Sequence, residues 1–167
     1  VYTRQTQQYS LNLDPAKGGY WWETGDEPEA EYVELYNRGL TTVNLQDWEF
    51  VEGSFFTFPN VSMPQETYLL VSADAATITS HYGISNVVGN YTGELANNNH
   101  RITLVDDSEP PVIIDTGRYR DDPPWPLAPD QDGRSLELMD PFEDNSGPEN
   151  WRASRVPIEL AACLLYT

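Results

Sequence analysis

At 167 residues the chain has room for one domain with a proper core and is short for two. Its 39% hydrophobic and 12% aromatic content is that of a chain that folds. A net charge of −18, from 27 acids against nine bases, argues against nucleic acid or an anionic membrane surface as partner, because such a surface repels phosphate.

In chain order, residues 1–10 are polar and Gln-rich and read as an N-terminal extension. Leu11-Asn12-Leu13 is a short strand ending in the Asp14-Pro15 turn signal, and residues 16–30 form an acidic loop around Tyr20-Trp21-Trp22. Glu31 to Asn37 alternates Val33 and Leu35 against Glu34, so one face is expected to be buried. Asn37-Arg38-Gly39 turns the chain, and Val43 to Phe50 reads as a second alternating strand that completes a hairpin. Phe55, Phe56 and Phe58 lead through Pro59 and Met63-Pro64 to the apolar run Tyr68 to Val71, and Ala73 to Tyr82 is the one helical candidate. Arg101 to Val105 and Val112 to Asp115 flank a turn and are expected to pair. Asp121 to Pro126 is too Pro-rich for a central strand, and Ser135 to Met139 is the last alternating strand of the domain. Thirteen Pro and eleven Gly between short runs punctuate an all-β protein. The predicted core is Val33, Leu35, Leu45, Trp48, Leu70, Ile102, Leu104, Leu136 and Leu138, with Trp151 as a closing plug.

Several of these runs, in this order, resemble the lamin-tail domain: "YVELYN", a turn and "VNLQDW"; "F-P … P … Y-L-L-V"; Ile102-Thr103-Leu104-Val105 with Val112-Ile113-Ile114-Asp115 after it; the Trp125-Pro126 pair; and Gly133-Arg134-Ser135-Leu136-Glu137-Leu138-Met139-Asp140-Pro141 with Asn150-Trp151-Arg152 after it. The resemblance covers about residues 11–154. It implies an immunoglobulin-like β-sandwich without intrinsic catalytic machinery, similar to those of nuclear lamins and of bacterial secreted or surface proteins.

Residues that could carry chemistry are few. His81 and His100 are the two histidines, and neither is joined to a serine or cysteine in a nucleophile motif. Cys163 is the single cysteine, so no internal disulfide forms, and an apolar setting disfavours its thiolate. One Cys and two His do not suggest zinc. Calcium has two candidate loops: Asp130 and Asp132 in Asp130-Gln131-Asp132-Gly133, and Asp140 and Asp144 beside Glu143 and Asn145, with an Asx turn as the plainer reading of each. Asn60-Val61-Ser62 and Asn90-Tyr91-Thr92 are sequons that a secreted protein could glycosylate at Asn60 and Asn90. With no initiator Met or leader at its start, the sequence is expected to be a mature or excised product.

Residues 155–167 continue beyond the resemblance with a period of two that places Val156, Ile158, Leu160, Ala162, Leu164 and Tyr166 on one face. An uncovered apolar strand invites aggregation, so this segment is covered either by its own domain or by a neighbour's. The function expected is that of a non-catalytic extracellular or cell-surface domain. It assembles with copies of itself or with neighbouring β domains, by terminal strand addition into a filament, and neither binds nucleic acid nor inserts into a membrane. The alternative is an accessory module of a larger secreted hydrolase or nuclease.

Overall fold

The computed structural model describes residues 7–12, 31–96, 98–127 and 135–153, with the backbone alone for residues 7–12, 81, 82 and 135. The described strands in chain order are β1 (Gln7–Asn12), β2 (Tyr32–Asn37), β3 (Val43–Asn44), β4 (Glu49–Glu52), β5 (Ser54–Thr57), β6 (Ser62–Met63) and β7 (Tyr68–Ser72), then β8 (Val87–Gly89), β9 (Thr92–Gly93), β10 (Asn99–Val105), β11 (Ile113–Arg120), β12 (Ser135–Leu138) and β13 (Trp151–Ala153). Six form one sheet in the order β13-β12-β1-β2-β7-β8, five form a second in the order β11-β10-β4-β5-β9, and β3 pairs with β6. All pairs are antiparallel except β7 with β8.

Alternation does the building. In β2, Val33 and Leu35 are fully buried between the sheets while Tyr32, Glu34 and Tyr36 face the other way. Across the gap Phe50 meets Phe58 edge to face with ring centroids 5.3 Å apart, and Ile102, Leu104 and Tyr119 complete the same cluster. Every residue in the predicted core is buried, and the expected pairing of Arg101–Val105 with Val112–Asp115 is present as the longer β10–β11 ladder. Trp151 is buried as the expected plug, 6.3 Å from Trp125, with its indole N–H donating to the Asn145 carbonyl. The all-β, immunoglobulin-like sandwich expected from sequence is the fold.

Three local expectations are corrected. Val43 to Phe50 is not one strand: Asp47 takes a left-handed conformation (φ 62°), which splits the run into β3 and β4. Nor do the two halves of the supposed hairpin pair, since β2 lies between β1 and β7 while β4 lies between β10 and β5 in the other sheet. Asn37 shows why the chain crosses there. Fully buried, it donates from its amide to the carbonyls of Thr41, Met63 and Pro64 and accepts from the Gly39 N–H, pinning a corner instead of a hairpin turn.

Leu70 is buried as expected, on the opposite face of its strand from Leu69 and Val71 and outside the main cluster. There α1 (Ala75–Tyr82), with its buried Ile78, packs against β7 and β8. Asp74 caps this helix by accepting from the N–H groups of Ala76 and Thr77, and Gly83 ends it at φ 67°. Strand β1 also begins at Gln7, within the segment read as an extension.

Candidate functional site

The strand registers give the sandwich two distinguishable ends. Gln7 stands opposite Asn37, so β1 enters where β2 leaves. The β12–β13 loop, the β10–β11 turn and the turn after β2 are drawn together at that same end. Arg38 donates from Nη1 to the Pro141 carbonyl at 3.1 Å, and Asn145 donates its amide to both carboxyl oxygens of Asp115 at 3.1 and 3.2 Å. The Thr116 N–H also bonds Asp115, an inward-pointing acid on edge strand β11. Burial pushes the Asp115 carboxyl up to about 6, against the pull of the Asn145 and Thr116 hydrogen bonds and of the nearby Arg38 charge.

Outside this polar hub the same end is apolar. Among the described residues, six large hydrophobic side chains are at least half exposed, and five of them sit here: Leu40 (89%), Val112 (50%), Ile113 (65%), Met139 (50%) and Phe142 (65%). Leu40 is two residues from Arg38, and Phe142 adjoins Pro141, so the Arg38–Pro141 bond holds their backbones together. The same segments carry acids: Asp106, Asp107 and Glu109 in one turn, Asp140, Glu143 and Asp144 in the loop. These five exposed apolar side chains are an apolar crown at this end of the sandwich, and the acids of the same turns and loop are its rim.

The opposite end closes differently. Glu31, buried, accepts from the Tyr91 hydroxyl at 3.0 Å and the Leu95 N–H at 3.1 Å, while Tyr119 donates to the Ala96 carbonyl at 2.8 Å. Burial raises the pKa of Tyr91 and Tyr119, and the charge of Glu31 adds to this. His100 stacks on Tyr119 and accepts the Ala96 N–H at Nδ1, which leaves Nε2 protonated in the neutral ring and without a partner among the described residues. Gly53, at φ 76°, makes room for this imidazole, since a Cβ there would collide with it. Desolvation lowers the His100 pKa; enclosed in this way the ring is poorly placed to trade protons with a substrate.

The candidate residues of the sequence have distinct places in the fold. Asp140 accepts the Phe142 N–H and Asp144 the Ser146 N–H, both at 2.9 Å, so each carboxylate closes its own Asx turn. The Ser146 bonds, foremost the backbone one, hold Asp144 below its usual pKa. No group of three or more His, Cys, Asp or Glu converges to hold a metal among the described residues. Asp130, Asp132 and the segment from Val156 through Ile158, Leu160, Ala162 and Leu164 to Tyr166 lie outside the described residues, as does Cys163. Asn60 is exposed and accepts from Asn44, and Asn90 is exposed and accepts the Ala75 N–H; His81 lies in α1. No described helix is long and apolar enough to cross a membrane. The crown itself carries no sequence signal, because its members are scattered over a hundred positions without a period.

A family model for the lamin tail domain matches residues 15–120. No curated protein and no solved structure gives a match.

Proposed function

The chain belongs to the lamin tail domain family, and from that premise we propose that it is a non-catalytic structural or adhesion domain, working outside the cell or on its surface by assembling with neighbouring copies. The observation that carries this reading is the apolar crown. A chain of net charge −18 has acids to spare for its surface, yet it leaves five large apolar side chains exposed at one end. Its remaining charge keeps finished assemblies apart. Among the described residues, His100 is enclosed, and Asp140 and Asp144 each close an Asx turn.

Light scattering and electron microscopy of the purified protein test the proposal across concentration and salt. Polymers or discrete oligomers, favoured as salt screens the acids, are expected. A monomer under every condition overturns it.

A further inference from the structure

Resting on that reading, we propose that the crown at the β1-entry end receives the C-terminal segment, residues 155–167, of the next copy, giving a head-to-tail polymer. The strand registers carry this. Leu138 pairs with Trp151 and Leu136 with Ala153, while Leu136 also pairs with Leu11, which in turn faces Val33. Strand β13 therefore runs away from the crown, and the chain leaves it at the opposite end, level with the start of β2 but at the edge of the sheet. Beyond that point the sequence continues as an alternating apolar face from Val156 to Tyr166, with Arg155 at its root.

The point from which the donor segment departs and the acceptor thus lie at opposite ends of the domain. A contact between two different surfaces does not close on itself as a two-fold dimer does, and it propagates into a filament. The chemistry matches as well. The donor's twelve residues 156–167 would extend ~40 Å at about 3.3 Å per residue, enough to lay apolar side chains across Leu40, Ile113 and Phe142. The segment carries a single acid, Glu159, so it meets the acidic rim with little repulsion, and Arg155 complements that rim.

The test is complementation by two variants, read by light scattering with mass spectrometry of the intact complexes. One lacks residues 155–167 and keeps the crown. The other is full length and carries Leu40→Ser, Ile113→Thr and Phe142→Ser. Wild type should polymerise, each variant alone should be monomeric, and an equimolar mixture should stop at a one-to-one complex, because only one crown and one tail remain to meet. If the wild type is itself monomeric, the assembly reading falls and this inference with it. If the wild type polymerises and the crown variant does so equally, assembly stands but the crown is not the acceptor. If the crown variant is monomeric while the tail-deleted chain polymerises, the crown meets another surface and the tail is not its occupant. If both are monomeric and the mixture stays so, tail and crown do not meet, and the inference is overturned. Should the deletion leave an unfolded chain, full-length Leu160→Asp with Leu164→Asp takes its place. Unfolding of that variant too would assign the segment to its own domain and overturn the inference.

Discussion

The two ends of this sandwich solve one problem in different ways. Each must close the gap between two sheets, and each does so around a buried or half-buried acid, Glu31 at one end and Asp115 at the other. At the Glu31 end the closing groups are two tyrosines, a histidine and backbone amides, turned inward. At the Asp115 end the inner layer is just as well bonded, but the outer layer is apolar and open. Among the described residues the Glu31 end closes without such an exterior, so an apolar exterior is not simply a by-product of closing a sandwich. It is an addition, and the energetics should separate it from the structure beneath.

The largest effect is expected directly under the crown. Trp151→Ala removes a buried indole that packs near Trp125 and bonds the β12–β13 loop, and should cost ~3–5 kcal/mol in denaturant unfolding. A loss under about 1 kcal/mol would make the loop independent of the core and dissolve the distinction between the layers.

Next comes a matched pair, one residue from each end. Asn37→Ala leaves three carbonyls without their donor, and Tyr91→Phe strips a hydroxyl from Glu31. Both should destabilise by about 2–3 kcal/mol, the cost of stranding buried polar groups. Comparable losses say that the two inner layers are equivalent. A neutral Asn37→Ala would show that the crown end is held more loosely.

Between the ends, Glu34 supplies a pH probe. Burial first, and the charge of Glu137 second, raise its pKa from the ordinary 4.5 to about 7, and no donor reaches it among the described residues. The folded state thus holds this proton more tightly than the unfolded one. Its contribution to stability is complete below pH 4.5 and is lost as pH rises through about 7. Glu34→Gln should therefore stabilise the protein by about 1–2 kcal/mol at pH 8 and by little at pH 4, after allowance for the side chain's remaining contact with water. An equal effect at both pH values would remove burial as the cause.

Much of the inner architecture was legible in the residues themselves. Val33 and Leu35, or Ile102 and Leu104, declare a buried face by alternation alone, and the resemblance ordered these runs into a sandwich. Where reading along the chain failed, a three-dimensional constraint intervened. Asp47 breaks an apparently continuous strand by adopting positive φ, a conformation for which Asp gives only a weak signal. Leu70 lies in a run buried on both faces, so no period could say that it belongs beneath α1. The crown was illegible for a different reason. Leu40 and Phe142 are isolated apolar residues in turns, Val112 and Ile113 read as the start of a paired strand, and nothing short of the fold brings them to one end.

The smallest expected effect decides whether crown and foundation are separate. Leu40→Ser, Ile113→Thr and Phe142→Ser remove side chains that are 65–89% exposed, so little apolar area returns to water when the isolated domain unfolds. Surface changes of this kind fall within about 0.5 kcal/mol each, and Thr keeps the β-branching that suits Ile113 at the start of β11. Thermal unfolding of dilute, unassembled protein should thus leave the triple variant within a few degrees of wild type, while the concentration dependence of its melting temperature should disappear. That second readout matters because burial against another copy stabilises by mass action, which a residue holding only its own domain cannot mimic. A triple variant that melts far below wild type even when dilute would place the crown inside the fold's own cohesion, and the two ends would then differ in packing rather than in purpose.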